Sequence, residues 1–588
     1  MLFDLRKIFK LLNGVLAALV LAAPAEADNA AQLQQAITAY QSGDYAQAFK
    51  LLQPLAQQGD ALAQNNLGAM YENGQGVAQN HQQAFTWLQK AANQGDADAQ
   101  YNLGVMYYQR QGVTQNYQHA FAWFQKAANQ GYALAQYNLG VMYRKGQGVA
   151  QNYQQAFMWF QKVANQGYAA AQYNLGMMYY KGQSVAQNYQ QAFTWLQKAA
   201  NQGYALAQYN LGVMYGNGYG VAQNYQQAVA WYQKAANQGD VNAQYNLGMM
   251  YLDGRGVAQN YQQAVAWLQK AANQGDAGAQ NNLGAMYQNG QGVAQNYQQA
   301  FAWYQKAANQ GRASTQNNLG VMYKNGQGVV QDYQQAFAWF QKSANQGYAQ
   351  AQYSLGLMYA NGQGVAQDYK QALAWFQKAA NQGSAAAQFN LGVMHEKGRG
   401  VAQNYQQAMM WYQKAANQGY SDAQFNLGVM YEKGRGVAKN DKQAMAWYQK
   451  AANQGDAKAQ NNLGLMYRDG QGVAKNDKQA VAWFQKAANH GDAAGQHNLG
   501  EMYEKGQGIA QNYQQALAWY QKAANQGVAQ AQNNLGAMYA NGLGVAKNYQ
   551  QAKAWWQKVL AQPDTEENTE PKALARDNLQ KLREIGIR

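Results

Sequence analysis

The chain has no cysteine, only four prolines and few charges for its length, with Asp, Glu, Lys and Arg making up 12% of 588 residues. The absence of cysteine excludes disulfides, thiolate metal sites and a lipid-modified cysteine. The prolines, Pro24, Pro54, Pro563 and Pro571, leave everything between Leu55 and Gln562 free of the residue that breaks helices. Beyond Ala23 no segment approaches the ~20 consecutive apolar residues of a membrane-spanning helix, so no transmembrane segment is expected. The five histidines, His81, His119, His395, His490 and His497, are scattered, and no serine recurs beside a histidine and a carboxylate. The sequence therefore offers no catalytic residue, no cofactor-binding residue and no cofactor.

What is present in excess is order. A Leu-Gly pair followed by Met and an aromatic residue recurs from Leu67, Leu103 and Leu139 to Leu535, always 36 residues apart. Such strict periodicity is the mark of one supersecondary unit stacked into an array. In the copy from Gly131 to Gln166, Ala135, Leu139, Met142 and Tyr143 take the i, i+4, i+7, i+8 spacing of one buried helical face, which defines helix A. Gly146 is its left-handed stop, and Gln147-Gly148-Val149 turn the chain. Asn152 then caps helix B, with Gln155 three residues on, and helix B is expected to bury Tyr153, Ala156, Phe157, Trp159, Phe160 and Ala164. Gly140, inside helix A, costs about 1 kcal/mol relative to alanine, so its recurrence implies a contact too close for a side chain. One tryptophan per repeat, from Trp87 and Trp123 to Trp555, is read as core.

The set Ala135, Leu139-Gly140, Met142-Tyr143, Gly146-x-Gly148-Val149, Ala156, Trp159, Ala164 and Gly167 resembles the Sel-1-like repeat, a relative of the tetratricopeptide repeat, and recurs over residues 60–558. The resemblance implies a right-handed superhelix of helix pairs acting as an adaptor for protein complexes, including bacterial envelope and secreted proteins. Some bacterial members carry two cysteines per repeat, joined as a disulfide, and are linked to penicillin binding or β-lactamase activity. This chain lacks those cysteines, so that activity ranks last among its readings. The expected fold is thus all-α, an α/α solenoid of fourteen 36-residue helix-turn-helix repeats with helical caps.

The ends differ from the array. Arg6, Lys7 and Lys10, the apolar run Leu11 to Ala23 and Ala25-Glu26-Ala27 form a signal peptide over residues 1–27, with cleavage before Asp28 and a periplasmic or secreted destination. Residues 28–59, with Tyr40, Gly43-Asp44-Tyr45 and Ala48, resemble a tetratricopeptide hairpin capping a solenoid that spans residues 60–562. Residues 563–588 read as an acidic linker followed by a capping helix from about Pro571 to Ile585, laying Ala575, Leu579 and Leu582 over the last hairpin.

Where the copies vary, function is sought. Helix A positions equivalent to 134, 137, 141 and 144 share a face expected to line the concave side. There Tyr101, Tyr137, Tyr173, Tyr209, Tyr245, Tyr353, Phe389 and Phe425 make an aromatic stripe suited to a protein or peptide partner, or else to packing between repeats. Asn281, Asn317, Asn461 and Asn533 stand at that position elsewhere. Two ladders, Gln64, Gln100, Gln136 onward and Asn66, Asn102, Asn138 onward, are expected to satisfy backbone groups in the turns. One lysine per repeat, Lys90, Lys126, Lys162 to Lys558, is placed opposite the buried face of helix B, a ridge that an anionic envelope glycan such as peptidoglycan would use. His497, Glu501 and Glu504, at i, i+4 and i+7, have the spacing of a metal site but are read as an exposed polar face, so no metal is expected. The leading function is a monomeric, exported, non-enzymatic scaffold; nucleic acid is not an expected partner.

Overall fold

The computed structural model describes residues 24–587, and the described residues form helices without any strand. A hairpin of Pro24–Gln41 and Tyr45–Gln58 comes first, fourteen successive helix A and helix B segments follow in the 36-residue period, and the helix Glu566–Glu584 comes last. Most of the expected signal peptide lies outside the described residues, and Pro24 to Ala27 open the first helix. The chain divides at Gln295 and Asn296 into two compact units. The first holds the N-terminal hairpin, repeats 1 to 6 and helix A of repeat 7; the second holds helix B of repeat 7, repeats 8 to 14 and the terminal helix. Within each unit every helix packs against its predecessor and successor in the chain.

Repeat 3 shows why the sequence folds this way. Helix A is Ala133–Lys145, and Gly146 ends it at φ 68°, its N–H bonded to the Met142 carbonyl. Gly148, at φ 71°, is constrained twice: a Cβ there would lie 2.1 Å from the carbonyl oxygen of Tyr117, where helix B of the previous repeat begins. The turn is thus seated on the preceding hairpin, and a side chain would push the two apart. Helix B, Tyr153–Asn165, starts with the Asn152 side chain accepting the Gln155 N–H, as the capping signature requires.

The core is built between repeats. Ala120, Phe124, Ala127 and Ala128 of repeat 2 enclose Ala135, Leu139 and Met142 of repeat 3, and Trp159 of repeat 3 closes the cluster. Within a hairpin Gly140 lies under the ring of Phe160, which would be 2.7 Å from a Cβ at residue 140. Phe160 is fully buried, and truncating a ring so placed costs about 3–5 kcal/mol. The equivalents of Phe160 include Leu88, Tyr232, Tyr412 and Trp556, each over its own helix A glycine.

At the C-terminus the final helix begins at Glu566, inside the stretch expected to be a linker. Pro571 lies inside it, where it removes one helical N–H donor, and its carbonyl accepts from Asn533 Nδ2 at 2.7 Å. Ala575 and Leu582 are buried and Leu579 partly buried against Trp556 and Val559.

Candidate binding surface

The aromatic stripe occupies a shelf between helices. Tyr101 is buried and the other seven stripe residues are half-buried. Six rest on the large ring of helix B in their own hairpin: Tyr101 on Phe124 and Tyr137 on Phe160, both at 5.7 Å between centroids, and likewise Tyr209 on Tyr232, Tyr353 on Phe376, Phe389 on Tyr412 and Phe425 on Tyr448. Tyr245 has the same half-buried setting. Burial pushes the Tyr137, Tyr173, Tyr209 and Tyr353 hydroxyls above the usual phenol range, so they stay neutral donors.

The two amide ladders have different tasks. Gln136 Nε2 donates to the Ala128 carbonyl at the end of the preceding helix B, and Gln166 of the next turn donates to Gln136 Oε1. This satisfies backbone groups between hairpins, as the sequence suggests. His490 replaces that second glutamine in repeat 12, and its Nδ1 lies 2.9 Å from Gln460 Oε1. Because Gln460 Nε2 already donates to Ala452, Nδ1 must carry the proton. The asparagine ladder donates to carbonyls of its own helix A, as Asn174 to Ala170 and Asn210 to Leu206, and also reaches the stripe: Asn174 Nδ2 donates to the Tyr137 hydroxyl at 3.1 Å, and Asn498 donates to Asn461 Oδ1 at 2.8 Å, each reaching back 37 residues.

Sequence reading overlooked a second row of rings. The residue before helix A is an aspartate in several repeats, where Asp96 and Asp240 accept the Ala99 and Ala243 N–H. In five others it is Tyr132, Tyr168, Tyr204, Tyr348 or Tyr420, which gives up the side-chain cap. These tyrosines extend the stripe: Tyr132 lies 5.0 Å from Tyr101, Tyr204 5.3 Å from Tyr173 and Tyr420 5.2 Å from Phe389. Burial pushes Tyr204 up to about 12. The signal was the exchange of Asp for Tyr at one fixed position. In repeats 10 to 13 a pocket of about 560 Å³ brings Phe389 and Phe425 together with Asp422, Asp456, Asp492 and His490.

The lysines are exposed, but they do not stand opposite the buried face. Lying three residues after the tryptophan, each shares its side of the helix and bends over the indole: Lys126 Nζ is 4.0 Å from the Trp123 centroid, Lys234 3.9 Å from Trp231, and the relation holds in all fourteen repeats. The tryptophans are buried or half-buried beneath them.

The residues at metal-like spacing have separate partners. His497 Nε2 lies 3.3 Å from Asn534 Nδ2, Glu501 pairs with Lys505 and Arg468, and Glu504 accepts the Tyr520 hydroxyl at 2.6 Å. His497 is also half-buried, occupying a stripe position against Tyr520, and is not the exposed polar residue expected.

Stacked antiparallel hairpins with a variable helix A face define an α/α repeat protein. The chain belongs to the Sel1 repeat family: the Sel1 repeat pattern matches residues 39–60 and then fourteen further segments from 61–96 to 529–562. The first match, shorter than a full period, covers the second helix of the N-terminal hairpin. The crystal structure of c5321, a protective antigen present in uropathogenic Escherichia coli strains displaying an SLR fold, is 42% identical with a TM-score of 0.63, covering 73% of this chain and 92% of that one. A Sel1 repeat protein from Oxalobacter formigenes is 34% identical with a TM-score of 0.45, covering 53% of this chain and 90% of that one. No curated protein matches the chain.

Proposed function

We propose that this chain is an exported, non-enzymatic scaffold whose helix A face binds a protein or peptide partner. The observation that carries this reading is the stripe itself. Tyr137, Tyr173, Tyr209, Tyr245, Tyr353, Phe389 and Phe425 are half-buried, most of them supported by a helix B ring, so each holds one edge fixed and offers the other. Rings anchored in advance bind at low cost in side-chain entropy. Export draws on the basic, apolar and Ala25-Glu26-Ala27 segments together with the likeness to a protective antigen; the intact mass of envelope or medium material should begin at Asp28, and retention of Met1 would count against it.

A second reading, an anionic envelope glycan on the lysines, is favoured by their regular exposure above the tryptophans. Photo-crosslinking separates the two. A benzophenone amino acid at position 173 should capture the partner from envelope extract and one at position 162 should not; capture only from position 162 would transfer the site to the lysine ridge.

A further inference from the structure

Between Asp98 and Asp240 the chain contains eight Lys and Arg residues and no Asp or Glu. That interval runs from repeat 2 to repeat 5 and carries Tyr101, Tyr137, Tyr173 and Tyr209. Arg144, half-buried at the end of helix A of repeat 3, lies among these rings. Its Nη1 donates to Asn174 Oδ1, the same asparagine that donates to the Tyr137 hydroxyl, and its guanidinium lies 5.8 Å from the Phe160 ring centroid. Its field also reaches the hydroxyls of Tyr137, Tyr173 and Tyr204. Among the described residues no carboxylate pairs with it. Arg468 shows the alternative: it occupies the same position in repeat 12 and is held by Asp469 and Glu501. The nearest acids along the stripe lie at its edges, where Asp98 faces Tyr132 and Asp240 faces Tyr173 and Tyr209.

A guanidinium that has left part of its hydration shell and found only one neutral acceptor keeps most of its five donors for a ligand, and a planar carboxylate matches their geometry. The hydroxyls of Tyr137 and Tyr173, kept protonated by burial and each accepting from an asparagine, add donors to the same oxygens. We propose that the helix A face of repeats 2 to 5 binds an extended acidic peptide segment, with an Asp or Glu side chain of the partner on Arg144 between Tyr137, Tyr173 and Tyr204. This rests on the stripe being a binding face and names the partner's chemistry. The same face in repeats 10 to 13 carries Asp422, Asp456 and Asp492 beside Phe389 and Phe425, so the preference belongs to the N-terminal unit alone.

The test uses the full mature chain and a fluorescent peptide of about twelve residues, blocked at both ends, which at ~3.3 Å per residue crosses about four repeat layers. One version has Glu at alternate positions with Ala, Ser and Tyr between; the other has Lys for every Glu. The Glu peptide should bind at least about tenfold more tightly than the Lys peptide, and Arg144→Gln should remove about tenfold of that affinity while Arg144→Lys retains part of it. Ala170→Asp places a carboxylate at the buried position equivalent to Asp98 and Asp422 in repeats 2 and 11 and, with helicity unchanged by circular dichroism, should weaken the Glu peptide as much. Arg255→Gln, beside Asp253, should change nothing. Equal binding of both peptides, or a Glu peptide indifferent to Arg144→Gln and Ala170→Asp, would overturn the acidic assignment and leave the groove standing. Failure of both peptides to bind, with crosslinks to the partner absent from position 173, would remove the groove as well. Sedimentation showing Arg144-dependent self-association without peptide binding would give the face to a second copy and overturn the peptide assignment.

Discussion

Lys234 Nζ lies 3.9 Å from the centre of the Trp231 indole, and the ring beneath it is buried while the lysine is exposed. The pair joins a core contact to a surface charge on one turn of helix. A cation over an indole contributes about 0.5–1 kcal/mol at an exposed site, whereas removing the ring also opens the core. Lys234→Gln should therefore cost about 0.5–1 kcal/mol and Trp231→Ala at least about 3 kcal/mol. A double-mutant cycle in thermal unfolding would measure the coupling, and zero coupling would reduce the ladder to accidental proximity.

Among the described residues, two other than glycine hold the left-handed conformation that the hairpin turn demands, Arg110 at φ 64° and Ser184 at φ 70°. A side chain there costs about 1–2 kcal/mol. Ser184→Gly should recover about 1 kcal/mol, while Gly148→Ala, which meets the Tyr117 carbonyl, should lose at least about 2 kcal/mol. Hydrogen exchange at the two turns reads both effects locally, and a Gly148→Ala protein with unchanged protection would contradict the seating of the turn on the preceding hairpin.

Much of this architecture was legible in the residues. Ala135, Leu139 and Met142 mark the buried face of helix A by spacing alone, and Gly146 and Asn152 bound the turn by their chemistry. Less legible was whatever depends on the neighbouring repeat. The second glycine of the turn is required by a carbonyl 31 residues earlier, and the asparagine ladder by a ring 37 residues earlier, distances that a local pattern does not encode. The lysine was misplaced for a simpler reason: a long side chain three residues from a tryptophan folds back over it instead of pointing away. The stripe stands out because it varies, but its second row, Tyr132 to Tyr420, lies one residue before helix A, outside the helical spacing that marks the face. The start of the terminal helix at Glu566 was missed because an acidic stretch between two prolines reads as a linker.

If repeats contact only their neighbours, removing one whole period should join equivalent surfaces. Deleting Gly131 to Gln166 should leave a shorter folded array with proportionate loss of helical signal, and deleting Gly131 to Gly148 should leave an unmatched helix and a larger loss of stability. Circular dichroism with thermal unfolding distinguishes them, and equal damage from both deletions would contradict hairpin stacking.

The central claim, that the helix A stripe is the binding face, is tested most directly by calorimetry of the partner captured at position 173 against two triple variants. Replacing Tyr137, Tyr173 and Tyr209 by alanine should weaken binding by at least about 2 kcal/mol, since central aromatic anchors commonly carry interface energy, with helicity close to that of the parent. Replacing Lys162, Lys198 and Lys234 by glutamine should leave affinity nearly unchanged at both low and high salt. Normal binding by the tyrosine variant with loss by the lysine variant would contradict the claim, and unfolding of the tyrosine variant would assign those rings to packing alone.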